Sequence, residues 1–225
     1  EILLADGRTF TTGFGHYEKA VATYLFKPGL GPTLDGLFSQ SNLGIVTRMG
    51  IWLLPKPEYL QGFAFSVERF EDLATIVDAL RPLRMSGLLP SAVHIANDLR
   101  VLSARQRYPW DQAAGKTPLP ESIREEMRRQ ASLGAWNVLG ALYGTRKSVA
   151  ASRQALKKAM RGVAKVRIFD EGTIRLVDRV CAIAGRFGMG SYLRELSNAI
   201  RPVFELLQGR PSAEHLAGAG WRSRR

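Results

Sequence analysis

Between residues 59 and 183 the apolar spacing switches repeatedly between a period of two and a period of three to four. That alternation restricts the fold more than any other feature. Tyr59–Val67, with Leu60, Phe63 and Phe65 apolar, has strand character. Phe70, Leu73, Val77 and Leu80 then recur at the spacing of one helix face. Glu71 and Asp72 precede Arg81 and Arg84, the order a helix dipole favours, and Pro82 is expected to kink or end that helix. Ala92–Ala96 and Leu99–Leu102 read as strand pieces. Residues 105–120, with Pro109, Gly115, Pro118 and Pro120, read as an exposed and mobile loop. The pattern then predicts a helix over Glu121–Ser132, a strand over Trp136–Tyr143 and a helix over Arg146–Gly162. The last of these has Val149, Leu156 and Met160 on one stripe, and Arg153, Lys157, Lys158 and Arg161 on the opposite face. A strand over Lys165–Phe169 and helices over Thr173–Ile183 and Tyr192–Leu207 follow, separated by the glycines of 185–190; the tail from Gln208 reads as loop. Strands and helices in this order predict an α+β fold, helices covering a face of a sheet.

Pro55-Lys-Pro57 marks the boundary of this region, because proline cannot donate to a strand ladder and restricts the residue before it. We therefore expect two domains, 1–58 and 59–225. In the first, Asp6-Gly7 between two apolar runs predicts a hairpin. A Gly/Pro-rich connection over 13–36 holds His16 and Tyr17, read as a loop packed on the sheet. Ile45-Val46-Thr47 and Ile51-Trp52-Leu53-Leu54 read as strand, with Gly50 a bulge or a point of close approach. Charge separates the same two regions. Residues 1–58 hold five Lys/Arg and five Asp/Glu, whereas 27 of the 32 Lys/Arg and 15 of the 20 Asp/Glu follow, so the net charge of +12 lies wholly in the second region. Such a surface suits a solvated face or an acidic partner better than nucleic acid.

Several chemistries find no support. The three histidines are scattered and the single Cys181 can build neither a thiolate metal site nor an intrachain disulfide. There is no Gly-x-Ser-x-Gly elbow, no Walker loop and no Gly-x-Gly-x-x-Gly after a strand; the glycines at 185–190 have the wrong spacing. No apolar run has the roughly 20 residues a membrane span needs, and no leader is evident, so a cytoplasmic or periplasmic location is expected. The chain begins without Met, as if cut from something longer.

What remains is the polar run Ser39-Gln-Ser-Asn42 ahead of Gly44-Ile-Val46. Its hydroxyls and amides offer donors and acceptors suited to neutral ribose or adenine edges. Glycine allows a backbone to approach a ligand closely. A polar turn that caps the next strand fits the same residues.

The run Asp35-Gly-Leu-Phe-Ser-Gln-Ser-Asn-Leu-Gly-Ile-Val-Thr47, followed by Gly50-Ile-Trp-Leu-Leu-Pro55, resembles the end of the flavin-binding domain in the vanillyl-alcohol oxidase / p-cresol methylhydroxylase (4-cresol dehydrogenase) family, without gaps. The likeness continues more loosely to the C-terminus. It implies that 1–58 is the end of an FAD-binding domain of the p-cresol methylhydroxylase type. It implies that 59–225 is most of a cap domain, truncated at its end, with an antiparallel sheet flanked by helices. It further implies FAD as cofactor of the full-length protein and FAD contacts at Ser41, Asn42, Gly44, Ile45 and Val46. The expected activity is oxidation of para-substituted phenols by hydride transfer to flavin. A small phenolic substrate, a cytochrome c or oxygen as electron acceptor and a homo-oligomer complete the expectation. The family's pyrophosphate loop, its covalent flavin attachment point and its phenolate-binding Tyr/Arg pair have no counterpart here, so the isolated chain is expected to be inactive and its catalytic residues are unknown. By residue type alone, His94, Trp136, Tyr143 and Phe169 are pocket candidates that serve equally as core. The alternatives are an FAD-dependent 2-hydroxy acid dehydrogenase, which shares the domain plan, and a non-catalytic remnant or basic interaction module built on the 146–162 helix.

Overall fold

The computed structural model of the chain describes residues 1–25, 32–185, 201 and 204–210, with backbone alone at 181–185. It divides into two compact units, Glu1–Lys56 and Pro57–Arg225.

The first unit is built on the Asp6-Gly7 hairpin. Strand β1 (Ile2–Leu4) pairs antiparallel with β2 (Thr9–Phe10), with Ile2 opposite Phe10 and Leu3 opposite Thr9. The turn closes through Leu4 N to Arg8 O (2.8 Å) and Gly7 N to Leu4 O (3.0 Å), and the Asp6 carboxylate accepts from both the backbone and the guanidinium of Arg8. Strand β3 (Gly44–Val46) joins the other edge of β1, giving the order β2-β1-β3. The intervening connection holds two 3-10 turns, Gly13–His16 and Asp35–Phe38. The Phe38 ring meets Phe10 edge-on with centroids 5.5 Å apart, and the Thr12 hydroxyl donates to Asp35.

Ile51–Leu54, expected as strand, is not one. These residues pair with no described strand, and all four side chains are exposed. β-branched and aromatic residues favour a strand only where a neighbour supplies the ladder, and no described strand does so here. Trp52 instead donates its indole N–H to the Tyr24 carbonyl (2.9 Å), and Gly50 lies against the Tyr24 ring rather than in a bulge.

The second unit contains β4 (Tyr59–Val67), α1 (Leu73–Met85), β5 (His94–Asn97), α2 (Asp98–Arg105), α3 (Glu121–Gln130), β6 (Trp136–Gly144), α4 (Arg146–Ala159), β7 (Arg167–Phe169) and α5 (Glu171–Gly185). The strands form one antiparallel sheet in the order β5-β6-β4-β7. All of β4 pairs with β6, from Tyr59 opposite Gly144 to Val67 opposite Trp136. Because side chains alternate along a strand, this register puts Phe63, Phe65, Val67, Val138 and Leu142 on one face. Helices α1 and α4 cover that face with Ile76, Leu80, Val149 and Leu156, and the resulting cluster is the main core. Each large side chain buried there contributes about 1.5–3 kcal/mol relative to exposure. Gly62 on the opposite face is required by packing: a Cβ there would lie 2.2 Å from the Phe169 ring.

Two expectations are corrected in this unit. Pro82 neither ends nor interrupts α1, which runs to Met85. The proline removes one hydrogen bond to the exposed turn at Asp78, where solvent can take its place. Leu99–Leu102 is the body of helix α2, not a strand. Asn97 caps it by accepting from Arg100 N (2.8 Å), and Leu102 is fully buried in a second cluster with Met127 and Leu133. The expected loop over 105–120 has neither helix nor strand from Gln106 to Pro120 and is mostly exposed; within it Ala113 is buried and the Tyr108 hydroxyl donates to the Lys116 carbonyl. The expected helix over 192–207 and tail from 211 lie outside the described residues except at 201 and 204–207, which are helical. Pro28, Gly29, Gly31 and the glycines at 188 and 190 lie outside them too.

Candidate cofactor loop and sheet face

The first unit presents its polar loop at the surface. Gln40 adopts a positive φ of 51°, which turns the chain after the Asp35–Phe38 turn. The Ser41 hydroxyl accepts from Leu43 N (3.0 Å), holding a tight side-chain turn just ahead of β3. Asn42 is exposed and makes no hydrogen bond with a described residue. In β3, Leu4, Leu3 and Ile2 of β1 face Gly44, Ile45 and Val46, and the outer edge of β3 has no strand partner among the described residues. Ile45 and Val46 are 67% and 38% exposed.

Gly44 has a reason the sequence did not reveal. A Cβ there would lie 2.7 Å from the Ile2 side chain and 3.0 Å from the Leu3 carbonyl, with the Phe38 ring next to it. The missing side chain is therefore accounted for inside the unit, and close ligand approach is not needed to explain it.

The five residues expected at the cofactor thus share one exposed loop and strand edge. The donor set fits a neutral part of a dinucleotide such as FAD: an unengaged amide, a hydroxyl and the open main-chain groups of β3. It does not fit a pyrophosphate, which calls for a nest of N–H groups or a cationic clamp. His16 and Tyr17, read as packing residues, lie on the 3-10 turn and the residue after it. Their rings meet edge-on at 5.6 Å, and Tyr17 is 66% exposed.

In the second unit the sheet face opposite α1 and α4 is the surface of interest. One row of paired residues crosses all four strands on that face: His94, Leu139, Ala64 and Arg167. The two ends, His94 and Arg167, are exposed, and Leu139 and Ala64 are half-buried. Tyr143 lies on the same face, half-buried. Apolar central side chains, Leu139 and Ala64, between polar ends make a strip of the kind that seats a flat ring. The other two pocket candidates are structural. Trp136 packs on the core, donates its indole N–H to the Phe70 carbonyl (2.9 Å) and meets the Phe70 ring edge-on. Phe169 is 8% exposed, between Gly62 and Phe204.

Two polar networks brace the second unit, and the sequence signals neither. Asp98 is fully buried and receives a two-pronged contact from Arg124, Nε to Oδ2 and NH2 to Oδ1, both 2.8 Å, while the Arg124 guanidinium lies 5.0 Å from the centre of the Phe70 ring. The carboxylate raises the Arg124 pKa above its ordinary value against the opposing effect of burial. At the opposite sheet edge the Tyr59 hydroxyl donates to Asp170 (2.6 Å), and the buried Gln61 amide donates to both. Burial alone would push the Asp170 carboxyl up. Hydrogen bonds from Tyr59, Thr173 and Gln61 outweigh it and bring the pKa to about 2. The Tyr59 hydroxyl is pushed up, chiefly by that same bond to Asp170. Among the described residues no three potential metal ligands come together, and no helix is long and apolar enough to cross a membrane.

Comparison with known proteins places this geometry. No family model matches the sequence. The chain is 41% identical over 161 residues to the 1'-carboxy-chondrochloren decarboxylase of Chondromyces crocatus, covering 71% of this chain and 30% of that protein. It is 39% identical over 170 residues to the 4-cresol dehydrogenase [hydroxylating] flavoprotein subunit of Pseudomonas putida, covering 75% of this chain and 32% of that one. In three dimensions it resembles p-cresol methylhydroxylase with substrate bound, at a TM-score of 0.69 and 30% identity, over 98% of this chain and 39% of the other. The chain therefore spans about a third of the length of the curated relatives it matches.

Proposed function

We propose, for a chain that belongs by sequence and fold to the vanillyl-alcohol oxidase / p-cresol methylhydroxylase family of flavoproteins, that it is part of an FAD-dependent oxidoreductase acting on para-substituted phenols. The observation that carries the reading is the 39% identity to a 4-cresol dehydrogenase flavoprotein subunit over 170 residues, three quarters of this chain. FAD, when bound, would supply the oxidising power by accepting a hydride from the benzylic carbon of the substituent para to the phenol hydroxyl. The chain's own contribution is placement. Residues 1–58 are the end of the FAD-binding domain. There Ser41 and Asn42, with the main chain of Gly44, Ile45 and Val46, hold a neutral edge of the cofactor. Residues 59–225 are the larger part of the cap. The His94–Arg167 row of its sheet, half-buried at Leu139 and Ala64, is the face against which a planar phenol is oriented. The proposal extends to a homo-oligomer, with cytochrome c or oxygen as electron acceptor; sedimentation and reduction of added cytochrome c check these.

The experiment is a substrate screen on the full-length gene product, read as bleaching of the flavin band under anaerobic conditions. Bleaching by 4-alkyl and 4-hydroxymethyl phenols but not by 2-hydroxy acids supports the reading, and the reverse order overturns it. The relatives do not favour the hydroxy-acid alternative or a non-catalytic module. A second reading is favoured by the 41% identity to a decarboxylase: loss of a carboxylate next to the reacting carbon, in place of a hydride alone. Carbon dioxide released from phenols carrying such a carboxylate would select it.

A further inference from the structure

From Arg146 to Phe169 the sequence holds eight Lys/Arg and no Asp/Glu. Other helices in this unit neutralise basic residues with carboxylates of their own. Arg81 pairs with Asp78 on α1, Arg129 with Glu126 on α3, and Arg175 with Glu171 on α5. Helix α4 has no such partner. Lys147, Arg153, Lys157, Lys158 and Arg161 make no ion pair with a described residue, and the Arg146 guanidinium lies over the Tyr59 ring, 4.6 Å away. Arg146 and Lys147 also sit in the first turn of α4, where the helix dipole disfavours cations and no acidic residue offsets them. Folding does not require this arrangement. The buried face of α4 is held by Val149, Ser152 and Leu156, and its N-cap by the Thr145 hydroxyl, which accepts from Ser148 N.

The exposed face has a shape as well as a charge. Ala150 and Ala151, with Arg153, Gln154, Lys157, Lys158 and Arg161, line one open surface groove. The helix runs about 21 Å at 1.5 Å per residue, long enough for several partner side chains to lie along it. We propose that this face of α4 is a docking surface for a protein that presents a cluster of carboxylates. Exposed alanines among four cations offer apolar contact beside charge pairing, a combination that suits a protein partner. Nucleic acid would use the cations but gain nothing from the alanines, and among the described residues no aromatic side chain lines the groove to stack on a base. The inference does not depend on the cofactor or the substrate of the protein.

The test titrates the full-length gene product with poly-L-glutamate and with duplex DNA at several salt concentrations. It compares a quadruple variant, R153A/K157A/K158A/R161A, with one of equal charge change elsewhere, R48A/K56A/R107A/K116A; all eight positions are exposed. Alanine suits an exposed helix, and matched far-ultraviolet circular dichroism shows that α4 still folds. The proposal predicts that the α4 variant binds poly-L-glutamate at least about tenfold more weakly and with a flatter salt dependence, while the other variant loses less than about twofold. Equal losses in the two variants would mean net charge alone and overturn it. Tighter binding to DNA than to poly-L-glutamate, lost in the α4 variant, would overturn it in favour of a nucleic acid. A K157Q/K158Q variant supplies the same reading if the quadruple change lowers solubility.

Discussion

The two units of this chain differ in how far each closes its own core. The second unit sets Phe63, Ile76, Leu89, Leu142 and Leu156 at zero exposure, and every strand of its sheet is paired. The first buries only Ile2 among its described apolar side chains, while Leu43, Ile45, Met49, Ile51, Trp52, Leu53 and Leu54 are exposed. A three-stranded sheet needs a covered apolar face to be stable by itself. The contrast teaches that the second unit closes a core of its own, whereas the first, among its described residues, does not.

The sharpest way to break that comparison is truncation in each unit. Phe63→Ala removes a fully buried ring and should cost about 3–5 kcal/mol in the urea-induced unfolding of the second unit. Trp52→Ala in the first should cost no more than about 0.5 kcal/mol in the isolated chain, because the ring is 68% exposed. Comparable losses would refute the contrast. Next in size, Arg124→Ala leaves Asp98 buried and unpartnered and should destabilise by about 3 kcal/mol in the same assay. Gly62→Ala drives a methyl into the Phe169 ring and should cost about 1–3 kcal/mol, visible as a lowered melting temperature.

The smallest effect is the acid dependence of the second unit. The folded pKa of Asp170 is held at about 2, below its ordinary value of 3.8. Stability from this group is therefore complete above the unfolded value and is lost as the pH falls from about 4 to about 2. Asp170 is partly solvated, so the loss should be about 1 kcal/mol or less once screening is counted. Urea titrations across that window should show the slope in the parent chain and a weaker one in Tyr59→Phe, which removes a hydrogen bond to the carboxylate. An unchanged slope would mean that Tyr59 does not hold the pKa down.

The second unit was largely legible in the sequence because its cues are local and agree with its packing. Tyr59–Val67 and Trp136–Gly144 alternate as strands do, and α4 carries its stripe and a Thr cap. The failures arose where local cues compete. Leu99–Leu102 is apolar enough for a strand, but the Asn97 cap and the Asp98–Arg124 pair across 26 residues make it a helix. The Asn-Asp dipeptide was the available signal. Ile51–Leu54 fails for the opposite reason: its composition is right for a strand, but pairing depends on a neighbour that composition cannot specify. The cofactor loop was visible as a polar run, and its surface position follows from the turn at Gln40 and Ser41. That Gly44 answers to Ile2 and Phe38 could be seen only in three dimensions.

The central claim is that the 39–46 segment holds a flavin. The most direct measurement is the flavin-to-protein ratio of the full-length gene product after dialysis, in the parent and in Asn42→Ala. The account predicts a yellow parent with near-stoichiometric flavin, bleached by a 4-alkylphenol, and a variant that folds but retains distinctly less flavin. A parent without flavin, or a variant whose occupancy and bleaching match the parent's, would contradict it.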